Sequence, residues 1–193
     1  MGSEMCIRDR ADALVALMCF QVARFDARLD EAGDIVLLED QDRSKWNLSL
    51  IQHGEFYLNR SAVGDHVSEY HLQAAIALTH LQASSIATTN WKFIYQLYGQ
   101  LGALSPSPLI LLNKAIVRSK IDSPSDALKE LFQIEKVELL CQQNYLFPAA
   151  IAALQTEQGN YAEARKYLDD ALKIAPTQAE KRLLQRKLSL LPV

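Results

Sequence analysis

From residue 11 onward, apolar side chains return every three or four positions, the period that lines one face of an α-helix. Leu14, Leu17, Met18 and Phe25 make a first stripe, and Trp46, Leu50, Tyr57 and Leu58 a second. Tyr70, Ala74, Ala77, Leu78 and Leu81 make a third, and Trp91, Ile94, Tyr95, Tyr98 and Leu101 follow at the same spacing. A helix is predicted over about 107–119, opened by Ser107-Pro108, because proline sits well in a first turn. Ser123-Pro124-Ser125-Asp126 repeats that start signal before Ala127, Leu128 and Leu131. Further helices are predicted over 145–157, 160–174 and 177–190, the last with Leu184, Leu188 and Leu191 on one face. The exception is the stretch 30–42. There Gly33 and the run Ile35-Val36-Leu37-Leu38 predict a turn and a short extended, buried segment. No low-complexity linker divides the chain, so it reads as one continuous all-α body with a small irregular insert.

A repeat is visible in the C-terminal half. Gln158-Gly159-Asn160-Tyr161-Ala162-Glu163-Ala164, then Tyr167-Leu168, Ala171-Leu172 and Pro176, resembles the second half of a tetratricopeptide (TPR) repeat. The glycine would end one helix, Tyr161 would wedge between helices, and the alanines would allow close packing. Ala152 lies twelve residues before Ala164, and Ala115 twelve before Ala127, giving two units offset by 37 residues. Stacked TPR-like helical hairpins are therefore expected.

Composition agrees with helices. Seven glycines and six prolines in 193 residues are little more than half the ordinary usage of roughly 12%. With 49% apolar and 22% charged residues, the chain is too hydrophobic and too balanced to be disordered throughout. A net charge of −3 argues against a free-standing nucleic-acid binder, which needs a basic surface. Cys6, Cys19 and Cys141 are odd in number and widely spaced, so neither a disulfide framework nor a zinc site is expected. A reducing, cytoplasmic setting is expected instead. The longest apolar run, Ala13–Phe20, has eight residues, against the ~20 of a membrane-spanning helix. Residues 1–10, Met-Gly-Ser-Glu-Met-Cys-Ile-Arg-Asp-Arg, read like translated adapter read-through of assembled metagenomic sequence. They are expected to be non-native, which leaves residues 11–193 as the domain and implies a longer parent protein on the N-terminal side.

No phosphate-binding loop, nucleophile elbow or zinc-protease motif is present. His53, His66, His71 and His80 are not spaced to share a metal, so each is expected at the surface or its boundary, and no cofactor is expected. Asp26, Asp30, Glu31, Asp34, Glu39, Asp40 and Asp42 face only Arg28 between residues 26 and 42, a local charge of −6 without calcium-loop spacing. Asp42 is placed to cap a helix starting near Arg43 or Ser44. Two readings of this acidic stretch stand: a solvated, helix-capping face, or a docking surface for a basic partner. Residues 159–193 carry seven basic and four acidic side chains, the ordinary make-up of a solvated helix face.

Several strings carry a family resemblance. They are Ala16-Leu17-Met18 with Ala23-Arg24-Phe25-Asp26-Ala27-Arg28, and Ile35-Val36-Leu37-Leu38-Glu39-Asp40-Gln41-Asp42-Arg43-Ser44-Lys45-Trp46. Next come Ser68-Glu69-Tyr70-His71-Leu72-Gln73-Ala74-Ala75-Ile76-Ala77, then Ser105-Pro106-Ser107-Pro108 with Leu112-Asn113-Lys114-Ala115. In this order, across residues 11–193, the chain resembles the C-terminal extension of extracytoplasmic-function (ECF) RNA polymerase sigma factors. Asn90-Trp91-Lys92 departs from that pattern, and residues 59–68 and 83–90 are more polar than it. The resemblance implies a helical, TPR-like regulatory domain following sigma regions two and four, neither of which is present. It implies protein contacts with those regions or with core RNA polymerase, no direct nucleic-acid contact and no enzyme activity. A free-standing TPR-like adaptor for a peptide or protein partner is the alternative.

The candidate interaction residues are Arg24, Asp26, Arg28, Glu39, Asp40, Gln41, Asp42, Arg43, Trp46, Tyr70, His71 and Gln73. Arg24, Arg28 and Arg43 are placed to bridge Asp26, Asp40 and Asp42 across the insert. That arrangement would be an internal salt-bridge lock; the other reading makes the same face a docking site.

Overall fold

The computed structural model describes residues 2–63 and 66–192, with side chains from Ile7 onward. The segment set apart as non-native therefore lies partly outside the described residues. Among those described, the chain forms ten α-helices and no strand. They are α1 (Gly2–Val22), α2 (Leu48–Ser61), α3 (Glu69–Gln82), α4 (Trp91–Leu104) and α5 (Pro108–Ser119). Then come α6 (Pro124–Phe132), α7 (Val137–Gln143), α8 (Leu146–Glu157), α9 (Tyr161–Ile174) and α10 (Gln178–Leu190). The insert, 30–42, forms turns in place of the expected extended segment, with isolated bridge positions at Leu29 and Ile35, and two 3₁₀ turns, Phe25–Ala27 and Arg43–Lys45, flank it.

Contacts divide the chain into two units in place of one continuous body. Met1–Asp30 with Val36–Pro106 forms the first, and Glu31–Ile35 with Ser107–Val193 the second.

In the first unit α1 packs on both α2 and α3, and α3 packs on α4. The buried face of α1 is Ala13, Ala16 and Phe20, continued after the helix by Ala23 and Ala27. This corrects the stripe read from the sequence: Leu14, Met18 and Phe25 stand in solvent, and only Leu17 packs against the core. Small residues won because they let helix backbones approach closely. Gly54 of α2 faces the ring of Phe20. The core is completed by Trp46, Ala74 and Leu81, with Ile51, Tyr57 and Leu58 packed against it. Buried Asp12 accepts two hydrogen bonds from Arg60, at 2.7 Å from Nε and 2.5 Å from Nη2. Those bonds hold its carboxyl below the usual range.

The second unit is a stack of hairpins. α5 pairs with α6 and α8 with α9, α8 lies against both α5 and α6, and α10 packs on α9. Ala115 and Ala127 are fully buried in one cluster with Leu131, Phe147 and Ile151. Ala152 and Ala164 are buried in a second cluster with Leu168, Ala171 and Leu184. The start signals act as read: Ser107 and Ser123 precede Pro108 and Pro124, and the Ser123 hydroxyl accepts from Asp126 N at 3.1 Å. Gly159 ends α8 in the left-handed region, φ +79°. Tyr161 is exposed, and the tyrosine packed against both clusters is Tyr167. Arg182 binds the Asp34 carboxylate and the Gly33 carbonyl, tying Glu31–Ile35 to α10.

Candidate functional site

The insert has no ladder of its own, so its backbone groups need other partners. After α1 the chain turns through Phe25–Ala27, and Val36 N donates to Arg28 O at 2.9 Å. A turn at Leu37–Asp40 follows, closed by Asp40 N to Leu37 O at 2.9 Å. Asp42 then caps the 3₁₀ turn Arg43–Lys45, accepting from Ser44 N at 3.0 Å and Ser44 Oγ at 2.6 Å. These bonds lower the Asp42 carboxyl below its ordinary range. Asn47 N returns to Ala23 O at 2.8 Å, and its side-chain oxygen caps α2 through Leu50 N. The predicted capping role of Asp42 is thus seen, on a 3₁₀ turn.

The centre of this arrangement is Trp46, which is 6% exposed. The Arg43 guanidinium lies 4.5 Å and that of Arg24 5.7 Å from its ring centre. Contacts of this kind at half-buried sites contribute about 1 kcal/mol each. Arg43 Nη1 also donates to the carbonyls of His80, at 3.1 Å, and Ala83, at 2.6 Å, closing the C-terminal end of α3. Arg24 Nε donates to Gln41 Oε1 at 3.1 Å, and Gln41 Nε2 passes the connection to Val36 O at 3.1 Å. Gln41 is buried, so both ends of its amide are used. Burial, with Arg28 and Arg43 close by, lowers Arg24 to about 10, still protonated at neutral pH. Burial and the same arginine field, from Arg24 and Arg43, push His80 down to about 4. His80 meets the edge of Trp91 at 5.3 Å between ring centres, and Trp91 Nε1 donates to Ile86 O.

The salt-bridge lock is therefore corrected. Among the described residues none of Arg24, Arg28 and Arg43 pairs with Asp26, Asp40 or Asp42. Arg24 and Arg43 serve an amide, two carbonyls and an indole, while Arg28 turns back onto the Gln21 carbonyl and side chain. Asp26, Glu39, Asp40 and Asp42 are exposed. Glu39 and Asp42 line an open cleft of ≈ 620 Å³ with Gln41, Arg43, Ser44 and Ser84–Ala87. The arginines and the acids thus separate into a half-buried cationic framework and a solvated anionic rim.

The remaining candidates lie elsewhere in the first unit. His71 fastens the start of α3: its Nδ1 bonds with Ser68 N at 3.1 Å and Ser68 Oγ at 2.8 Å, and its Nε2 with Ser61 O at 3.2 Å. Tyr70 stacks with the Arg10 guanidinium at 5.2 Å. Gln73 is half-buried on α3 and is not joined to the Trp46 cluster by a hydrogen bond. His80, expected at the surface or its boundary, belongs to the cluster, and its position in the last turn of α3 beside the polar stretch 83–90 is the available signal. Among the described residues no group of His, Cys, Asp or Glu is arranged to hold a metal ion. No described helix is long and apolar enough to cross a membrane.

With this geometry in place, the relatives of the chain can be compared. Residues 1–62 match a family of unknown function, DUF6596; these residues include α1, the insert and α2. An uncharacterized protein of Rhizobium meliloti (strain 1021) is 32% identical over 175 residues. That similarity covers 91% of this chain but 41% of the relative, so the chain spans about two fifths of that protein's length. No solved structure matches the chain.

Proposed function

We propose that the chain is a TPR-like regulatory domain of an ECF RNA polymerase sigma factor and acts by protein–protein contact, without a reaction of its own. The observation that carries this reading is the exposed rim of Glu39, Asp40 and Asp42, held beside the half-buried arginines Arg24 and Arg43 that stack on Trp46. Carboxylates that do not pair with the neighbouring arginines are available to a basic partner surface. The sequence strings that resemble the sigma-factor extension include this rim and run in order over 11–193. In the proposal the partner is sigma regions two and four, core RNA polymerase, or both, and the setting is the cytoplasm.

The longer Rhizobium meliloti relative supplies the test. Transcription by core polymerase is measured with that whole protein, and with a version lacking the portion matched by this chain. Promoter output that changes on deletion, and responds to this chain added back, supports the reading. A relative that never directs polymerase, or one indifferent to the deletion, overturns it. Capture of a peptide by this chain with no polymerase contact would favour the adaptor instead.

A further inference from the structure

The two hairpin units of the C-terminal half are offset by 37 residues, against about 34 in a TPR repeat. α6 ends at Phe132 and α8 starts at Leu146, so the link between the hairpins holds a helix of its own, α7. α7 leans on both α8 and α9. Between α7 and α9 a hollow of ≈ 470 Å³ remains, lined also by the fully buried Pro148 of α8. That is room for one small organic molecule. The hollow lies wholly within the second unit and does not depend on the reading of the Glu39–Asp42 rim.

Much of its lining is apolar. Val137 of α7 and Ile174 of α9 face it together with Pro148, and Phe132, 46% exposed, adds an aromatic ring. Cys141 and Tyr167 line it while packing against the core beneath. Both are held above their ordinary pKa; burial is the larger cause, and the carboxylates of Glu138 and Asp170 act on both in the same direction.

Lys166 and Lys173 also border the hollow, but their side chains are 67% and 70% exposed. Each turns to a carboxylate of its own helix, Lys166 to Glu163 at 3.8 Å and Lys173 to Asp170 at 2.7 Å. Neither lysine acts against the carboxylates at the phenol or the thiol. Glu138 has no cation paired with it among the described residues. The interior is thus an apolar and aromatic surface under a negative potential. An anion would be repelled there, and a neutral apolar guest would desolvate Glu138 without replacing its water. A cation on an apolar body meets both demands, since aromatic rings and carboxylates attract it together.

We infer that this hollow binds a small organic amine, with Glu138 as the counter-ion of its ammonium group and Val137, Pro148 and Ile174 against its apolar body.

Calorimetric titration of the whole chain with phenethylamine, tryptamine and hexylamine at neutral pH tests this, with phenylpropionate as the anionic counterpart. At least one amine is expected to bind with a submillimolar dissociation constant, and phenylpropionate is not. Glu138→Gln should weaken that amine about tenfold or more, as when a charged partner is lost from a hydrogen bond. The fold should be unchanged, because Glu138 is exposed. Lys166→Gln should not weaken the amine. Cys141→Phe should fill the hollow and abolish binding. Heteronuclear NMR on the parent chain supplies the location without any substitution: amides of 137–142 and 166–174 should shift on adding the amine. Absence of amine binding at millimolar concentration overturns the inference. So does equal binding of phenylpropionate, an affinity indifferent to Glu138→Gln, or shifts centred on other helices.

Discussion

The ring of Phe20 fills the space in which a side chain at position 54 would stand. A Cβ on Gly54 would come under 3.0 Å from three ring atoms of Phe20, and that ring is only 1% exposed and cannot swing away. This contact sets how closely α1 and α2 approach.

Gly54→Ala brings two opposed effects. Alanine is the better helix former by about 1 kcal/mol, but overpacking a closed core costs typically 1–3 kcal/mol. The clash should win, with a net loss of roughly 1–2 kcal/mol in urea unfolding. Adding Phe20→Leu should recover part of that loss, and strict additivity of the two changes would show that the residues do not meet.

Arg43 joins two chain segments by stacking on Trp46 and by donating to the carbonyls of His80 and Ala83. Lysine keeps the charge but not the planar fork. Arg43→Lys should therefore destabilise the fold by about 1–2 kcal/mol and Arg43→Ala by about 2–3 kcal/mol. The loss should be accompanied by a changed near-ultraviolet dichroism from Trp46. A lysine variant as stable as the parent would refute this role.

Reversing the rim charges separates folding from docking. Glu39→Lys and Asp40→Lys should change stability by no more than about 0.5 kcal/mol, the usual range for exposed positions. Asp42→Lys should lower the melting temperature, because it removes the cap on Ser44. All three should weaken association with the partner proposed above. Severe unfolding of the first two would restore the salt-bridge lock.

His80 should make stability fall on mild acidification. Its ordinary pKa of ~6.5 is pushed down to about 4 by burial and by Arg24 and Arg43, with Trp91 on its other side. Above that ordinary value both states hold it neutral. Below it the unfolded chain takes up a proton that the folded chain refuses, so stability declines from near pH 6.5 toward pH 4. The loss is on the order of 3 kcal/mol. Asp12 and Asp42, held below the usual carboxylate range, lose their contribution at still lower pH. Unfolding free energies of the parent and of His80→Phe, compared at pH 7 and pH 5, should diverge; equal slopes would sink the assignment.

The helices of the second unit were legible because their signals are local. Ser-Pro starts, Gly159 and the alanine pairs 115/127 and 152/164 each act within a turn or a hairpin. α7 gave no such signal: its N-cap is Lys136 in the left-handed region, φ 57°, without a capping side chain. On α1 the period was read correctly and the face wrongly, since size points to Leu14 and Met18 while close approach selects Ala13 and Ala16. The arginines misled for a chemical reason. A guanidinium serves carbonyls, amides and aromatic faces as well as carboxylates, and sequence proximity to Asp26, Asp40 and Asp42 does not choose among them. Residue type and spacing single out Arg24, Gln41, Arg43 and Trp46 but not their pairing.

The dependence of α1 on two later helices has a consequence during synthesis. Its core face is complete only after α3, which ends at Gln82. At translation speeds of ~5–20 residues per second, α1 waits several seconds with apolar residues bare on both sides. Nascent chains at that stage are natural clients for a chaperone. A substitution that delays α3 would thus reduce the yield of folded protein before it touched the melting temperature of the molecules that escape.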